Sequence, residues 1–273
     1  CSVRRQRQMC IRDRYVPELS SEDITEFSKT SDIGGTEEDF SIPLMYRFLV
    51  RYLSPIVRFT FNVSFTGLER IPRQGPMILT SNHISNLDPI FKILAARREV
   101  FYLAKEGHFQ KQPNRFIMKS NGMIETLRSE GAKDALSKAY DVLRSENALG
   151  IFPEGTRSRN SSPPFLQRGK TGVARIAASF PDVPVIPISI IGSREVMPPG
   201  ANFIRFWKRV EVNIGEPVTF GEWLGSEDGG NFTSSQLGNL IDIDEHGKSS
   251  IMKALYRDFT DQLMSTIESM GAP

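Results

Sequence analysis

The tightest constraint on how this chain can fold is the stretch Thr80-Ser81-Asn82-His83-Ile84-Ser85-Asn86-Leu87-Asp88-Pro89, which follows the apolar run Met77-Ile78-Leu79. Five residues at 3.6 per turn leave His83 and Asp88 roughly 140° apart, so an unbroken helix cannot bring their side chains together. The chain must bend between them. Proline fits the first position of a helix, the residue before it avoids the helical region, and Asp is a favoured N-cap. The sequence therefore predicts a strand, a turn, and a helix over Pro89–Arg98 opened by Asp88. One carboxylate oxygen would cap that helix while the other accepts a hydrogen bond from His83, fixing which imidazole nitrogen is free to act as a base. The same residues equally fit a plain helix cap beside a turn histidine with no chemistry.

Three further blocks bear on that choice: Gly122-Met123-Ile124-Glu125-Thr126-Leu127-Arg128, Phe152-Pro153-Glu154-Gly155-Thr156-Arg157-Ser158 and Val183-Pro184-Val185-Ile186-Pro187-Ile188. With Asn82–Asp88 they resemble, in order, the NHxSxxD, GxIxxxR, FPEGTRS and VPVIPI blocks of the glycerolipid acyltransferases, specifically the lysophosphatidate (1-acyl-glycerol-3-phosphate) acyltransferase family. The resemblance covers about residues 63–220. It implies transfer of a fatty acyl group from acyl-CoA or acyl carrier protein (acyl-ACP) to the free hydroxyl of 1-acyl-glycerol 3-phosphate, forming phosphatidic acid. His83 and Asp88 match the catalytic pair. Lys105, Gly122, Arg128, Glu154, Gly155, Thr156 and Arg157 fall at substrate-binding positions, and Val185, Ile186 and Pro187 at the acyl-chain contact. The family's mechanism requires no metal and no cofactor beyond the acyl thioester co-substrate. Another acceptor remains open, such as glycerol 3-phosphate, a different lysophospholipid or an amino-acid lipid. So does a non-catalytic lipid-binding protein of the membrane surface built on the same fold.

Residue chemistry fits those roles. A hydroxyl acceptor is a poor nucleophile near neutral pH and needs a positioned base, which His83 oriented by Asp88 can supply. There is no Gly-x-Ser-x-Gly elbow, and Ser85, two residues from His83, reads as a turn hydroxyl. Arginines suit a phosphate through bidentate contacts, and Gly155 would let backbone amides approach a ligand. Glu154 could orient the acceptor hydroxyl, hold Arg157, or form a structural ion pair. The Val183–Ile188 run fits an ordinary buried strand as well as an acyl-chain contact. Between residues 91 and 120, seven Lys/Arg against two acidic residues form either an approach surface for an anionic substrate or a solvated face.

With 273 residues, 39% hydrophobic and 24% charged, the chain can bury a substantial core. Strand-like runs alternate with helical periodicities, which predicts a single α/β domain with a central, largely parallel mixed sheet flanked by helices. In such sheets sites gather at the carboxyl ends of strands, where the histidine and FPEGTRS blocks stand. No run approaches the length of a membrane-spanning helix and no secretory signal opens the chain, so the expected location is the cytoplasmic face of a membrane, held peripherally (monotopic). Nucleic acid is not an expected partner. Both cysteines, Cys1 and Cys10, lie in residues 1–14, which leaves no zinc site, disulfide framework or cysteine nucleophile elsewhere. That segment resembles translated sequencing-adapter sequence and is expected to be non-native, the alternative being a basic arm. Without its five Arg and one Asp the formal net charge falls from +2 to −2.

Residues 15–40 carry eight acidic residues against Lys29 and read as a disordered leader, so deleting 1–40 is expected to change stability little. Over residues 41–62, Leu44, Met45, Phe48, Leu49, Leu53, Ile56 and Val57 recur at helical spacing among Arg47, Arg51 and Arg58. Ser41 is the expected cap. Such a basic amphipathic helix fits a membrane contact, and equally a helix packed on the domain's own core. Residues 63–273 form the expected acyltransferase domain. Within it, Gly221–Ser250 reads as a mobile loop and Ser250–Met270 as a final helix packed back on the domain.

Overall fold

A computed structural model describes residues 19–31, 33–110, 112, 114–127, 131–201 and 203–273. The helix α1 (Ser21–Ser28) precedes a helical segment in three parts: α2 (Leu44–Phe48), a π turn at Leu49–Leu53, and α3 (Ser54–Thr60). After β1 (Val63–Thr66) and β2 (Met77–Ser81) come α4 (Asp88–Ala96), β3 (Phe101–Lys105), α5 (Asn114–Ser120), β4 (Met123–Thr126), α6 (Gly131–Arg144) and β5 (Ala148–Ile151). The chain continues through α7 (Gly172–Ser179), β6 (Val185–Ile191), α8 (Ser193–Val196), β7 (Val210–Ile214), α9 (Phe220–Gly225), α10 (Ser234–Asp242) and α11 (Glu245–Ser269).

The strands form one sheet in the order β1-β7-β6-β2-β5-β3-β4, parallel at every pairing except β6 with β7. This is the expected mixed, largely parallel α/β architecture. Central strands of such a sheet are covered on both faces and so read as continuous apolar runs rather than alternating ones. Every residue of β2 is buried, and so are six of the seven in β6. On one face Ile78, Leu149 and Val185 meet Val142, Ile176 and Phe259 from α6, α7 and α11. On the other, Leu79, Ile186 and Val212 meet Phe91 and Leu94 of α4, with Val57 and Phe61 packed against them.

Three regions depart from expectation. The acidic leader contains α1, capped reciprocally by Ser20 and Asp23, and buries Phe27, which stacks on Phe220 at 5.7 Å between ring centroids. Thr36 then donates to Asp141 Oδ2 through its backbone N–H at 2.7 Å and its hydroxyl at 2.6 Å. Residues 1–18, including the segment read as non-native, lie outside the described residues. Pro43, not Ser41, occupies the N-cap of α2. Residues 221–250 are not a loop throughout: α9 and α10 begin at capping boxes, Thr219 with Glu222 and Thr233 with Gln236. They bury Trp223, Leu224, Leu237 and Leu240. The final helix starts at Glu245 rather than Ser250.

The segment from Leu44 to Thr60 is helical and amphipathic, with its apolar side turned outward. Only Tyr46 is well buried in it, its hydroxyl donating to Val100 O at 2.8 Å and accepting from Val100 N–H at 3.0 Å. Leu44, Phe48, Tyr52 and Ile56 are exposed, and Phe59 is 93% exposed. No helix among the described residues is long and apolar enough to cross a membrane.

Candidate active site

At the carboxyl end of β2 the side chain of Asn82 bridges to β6: its amide donates to Ile190 O at 2.8 Å and its carbonyl accepts from Ile190 N–H at 2.8 Å. This clamp fixes where the chain leaves the sheet. The turn that follows folds back so that His83 Nδ1 lies 2.9 Å from Asp88 Oδ2. The same oxygen accepts from the backbone N–H groups of Ile84 at 2.8 Å and Ser85 at 2.7 Å, while Oδ1 accepts from the Ser193 hydroxyl at 2.6 Å.

Asp88 is therefore not the N-cap. It is the first residue of α4, Leu87 occupies the cap without a side-chain bond, and the helix ends at Ala96. The carboxylate turns back onto the turn in front of its helix because that is where the unpaired N–H groups are. With Asp88 accepting at Nδ1, Nε2 of His83 is the basic nitrogen and has no protein partner among the described residues. The imidazole stacks on Phe152 at 3.9 Å between centroids and 17° between planes, and the side chain is 17% exposed. Ser85 is the turn hydroxyl expected, donating to Met197 O at 3.1 Å and accepting from Leu87 N–H at 3.3 Å.

Glu154, at the carboxyl end of β5, holds backbone rather than Arg157. Its Oε1 accepts from His83 N–H at 2.7 Å and its Oε2 from Gln167 N–H at 3.1 Å. A return bond from Ser158 N–H to His83 O at 2.9 Å completes the link between the two turns. Burial pushes the Glu154 carboxyl up to about 7, against the lowering effect of its two backbone donors. Gly155 adopts φ 69°, a conformation that favours glycine, and a side chain there would meet the Lys170 ammonium. Arg157 and Thr156 are half-buried in this turn, and Arg157 has no ion pair among the described residues.

Lys105 ends β3 at the same end of the sheet, in register with Thr126. Arg128 lies outside the described residues. Gly122 is elsewhere: it precedes β4 at the opposite end of the sheet, with φ 68°, and a Cβ there would fall 2.6 Å from the Tyr46 ring. Packing against Tyr46 is enough to demand glycine there. Val185, Ile186 and Pro187 are buried in β6, Val185 and Ile186 on opposite faces of the sheet, as an ordinary buried strand has them.

Residues that motif reading did not single out complete the site. Phe152 forms the floor under His83, Ser193 anchors Asp88, and Lys170 flanks Gly155. Beneath Phe152 the buried Lys92 donates to Leu79 O at 3.2 Å and Ile151 O at 3.0 Å, with its Nζ 3.8 Å from the Phe152 ring centroid. Burial holds its ammonium well below the usual lysine range, opposed by the charge of Asp88. A lysine at helical spacing in the apolar face of α4 was the available signal. Among the described residues no group of three or more His, Cys, Asp or Glu could hold a metal ion.

Residues 62–191 match the family model described as Acyltransferase. A chloroplastic 1-acyl-sn-glycerol-3-phosphate acyltransferase of Arabidopsis thaliana is 29% identical over 161 residues, 58% of this chain and 44% of that one. A 1-acyl-sn-glycerol-3-phosphate acyltransferase of Borreliella burgdorferi is 31% identical over 113 residues, 40% of this chain and 44% of that one. The chain thus spans less than half the length of these relatives. The crystal structure of the 1-acyl-sn-glycerophosphate acyltransferase of Thermotoga maritima has the same fold, with a TM-score of 0.53 at 22% identity over 77% of this chain and 80% of that one.

Proposed function

We propose that this chain, which belongs to the acyltransferase family, transfers a fatty acyl group from acyl-CoA or acyl-ACP to the free hydroxyl of 1-acyl-glycerol 3-phosphate, forming phosphatidic acid in phospholipid biosynthesis. The observation that carries this is the His83–Asp88 pair at 2.9 Å, with Nε2 unpartnered among the described residues beside the Glu154–Arg157 turn. Nε2 takes the proton of the acceptor hydroxyl as its oxygen attacks the thioester carbonyl. The new C–O bond forms, the C–S bond breaks, and the departing thiolate recovers the proton from the imidazolium, leaving the enzyme unchanged. Asp88 holds the tautomer and offsets the charge that develops on the ring. Glu154 positions His83 through its backbone N–H. Arg157 and Arg128, with Lys105, hold the acceptor phosphate, as the family's pattern implies, and Thr156 and Gly155 shape the turn around it.

The acceptor is a membrane lipid, and two exposed apolar surfaces support peripheral contact with a bilayer. One is the outward side of α2 and α3. The other is the loop carrying the exposed Phe203, Ile204, Phe206 and Trp207 with Arg205 and Lys208 among them. The second adjoins the first, since Asn62 N–H donates to Phe206 O at 3.3 Å. Trp and basic residues are the side chains that settle at a bilayer interface.

The test is an assay of the purified chain with lysophosphatidate, glycerol 3-phosphate, a second lysophospholipid and an amino-acid lipid as acceptors. Each is offered acyl-CoA and acyl-ACP, alongside His83→Ala. Phosphatidate formation by the wild type and its loss in the variant supports the proposal. Preference for another acceptor transfers the mechanism to that substrate. Equal binding of anionic lipid by two inactive proteins replaces the enzyme with a lipid-binding module.

A further inference from the structure

A second basic site lies away from the catalytic pair, at the end of α4 remote from Asp88. There a cavity of about 470 Å³ opens between that helix end and the helical segment formed by α2, the π turn and α3. Its lining brings together Arg47, Arg51, Arg58, Arg73, Arg97 and Arg98, with Glu99 as the one acidic residue. Arg98 donates to Gly75 O at 2.9 Å and Arg58 lies over the Phe65 ring at 4.5 Å. Arg47, Arg51, Arg73 and Arg97 have no ion pair among the described residues.

The carbonyl end of a helix attracts cations, which accounts for Arg97 and Arg98 at the end of α4. It does not account for Arg47, Arg51 and Arg58 from the helical segment and Arg73 from the stretch before β2, which line the same space. Like charges gathered in a cleft repel one another, and the half-burial of Arg58 and Arg98 adds to the strain, while the other four are exposed. Burial holds the Arg58 guanidinium below the ordinary arginine range, and the charge of Arg97 pushes the same way. An anion in the cleft would relieve both effects, and guanidinium groups are the side chains best matched to phosphate oxygens. The volume falls in the range of small-molecule sites, roughly 300–1,000 Å³, and Val50, Pro55 and Leu94 add apolar wall.

The position selects the source of the phosphate. The segment that supplies Arg47, Arg51 and Arg58 also carries the exposed stripe Leu44, Phe48, Tyr52, Ile56 and Phe59. When that stripe enters a bilayer, arginines flanking it stand at headgroup depth. We propose that this arginine-lined cavity binds the phosphate of an anionic phospholipid, holding the enzyme to the membrane at a site separate from the one that acylates its substrate. For the lipid as occupant, the proposal rests on the membrane reading of α2 and α3 given above.

The test compares binding of the full chain to vesicles of phosphatidylcholine alone and of phosphatidylcholine with phosphatidylglycerol. The variant is Arg51→Gln/Arg97→Asn, asparagine being chosen because residue 97 has φ 53°, which that side chain tolerates. At about 1 kcal/mol per basic residue near an anionic surface, losing both should weaken binding to the phosphatidylglycerol vesicles roughly 30-fold. Binding to neutral vesicles and turnover of detergent-dispersed substrate should stay unchanged. Lys248→Gln/Lys253→Gln, which removes equal charge from α11, should have less than a third of that effect on a logarithmic scale. Equal losses from the two double variants would overturn the pocket in favour of diffuse attraction. So would wild-type binding by Arg51→Gln/Arg97→Asn. Thermal stabilisation by inorganic phosphate that depends on the arginines, without any vesicle effect, would overturn the lipid as occupant. Phe48→Asp/Leu53→Asp separates the two ideas: if it still binds both vesicle types fully, the interface reading fails, whereas if it releases from both, a negative arginine result concerns the cavity alone.

Discussion

General-base assistance at His83 is worth typically 10²- to 10⁴-fold in rate, about 3–5 kcal/mol of barrier, so His83→Ala should abolish nearly all turnover. Its thermal midpoint should barely move, because the ring is a partly exposed group whose only side-chain hydrogen bond among the described residues is to Asp88, which keeps three other donors. Asp88→Asn should behave differently. The carboxylate satisfies four donors with two oxygens. An amide turns one of those oxygens into a donor facing donors, so a loss of about 1–3 kcal/mol in stability should accompany the loss of activity. Glu154 makes a pH-dependent claim. Its carboxyl titrates near 4.5 when unfolded and near 7 in the fold, so over that window the native state holds the extra proton. Stability should therefore fall as pH rises from about 4.5 to 7 and level off above, by up to roughly 3 kcal/mol. Glu154→Gln should lack that fall, which denaturation curves at about pH 5 and pH 8 would reveal; a slope of the same size in the variant would place the titrating group elsewhere. The His83–Asp88 pair was legible because it is local, five residues whose bend is announced by Pro89. The partner of Glu154 was not, because it is a backbone N–H 71 residues away that no residue type encodes.

Between Leu44 and Thr60 the helical period was plain in the sequence, whereas the direction its apolar side faces was not. An amphipathic pattern says that one side seeks an apolar medium, and both a protein core and a bilayer qualify. The structure exposes Phe48 and Leu53 at 56% and 44%, which makes them the right positions for a test. Placing two such side chains in a bilayer is worth about 1.5–3 kcal/mol each. Phe48→Asp/Leu53→Asp should therefore weaken vesicle binding at least 100-fold in a co-sedimentation assay, while melting temperature and turnover of detergent-dispersed substrate stay near wild type. A large drop in melting temperature would show that the two side chains pack on the protein. Helices α9 and α10 were hidden for another reason. Gly, Ser and Asn dominate Gly221–Ser250, and each helix is too short to display several periods. Their capping pairs Thr219/Glu222 and Thr233/Gln236 were nevertheless written in the sequence.

The alternation of strands and helices was enough to foresee a parallel α/β sheet, but its order and its antiparallel β6–β7 pair depend on crossovers that local pattern does not specify. Nor does local pattern show which polar segments the finished domain needs as cover. Residues 19–40 illustrate this. Their acidic composition suggested that they could be removed at little loss, yet Leu19, Phe27 and Ile33 are buried with α7, α9 and α10, and Thr36 closes over the buried carboxylate of Asp141. Full burial of side chains this size is worth about 1.5–3 kcal/mol each, offset by the entropy of ordering the segment. The earlier expectation is thereby reversed. Deleting residues 1–40 should lower stability by several kcal/mol relative to deleting 1–18 alone, and Phe27→Ala in the full chain should account for about 3–5 kcal/mol. Urea unfolding of the two truncations and the point variant provides the comparison, since the difference between truncations isolates residues 19–40 whatever the first 18 contribute. Superimposable curves would mean that this segment adds no stability and that the domain closes without it. Because His83 is anchored through β2, β5 and β6 rather than through α1, the shorter truncation should keep full activity, and the longer should regain activity on cooling to a temperature at which it is folded.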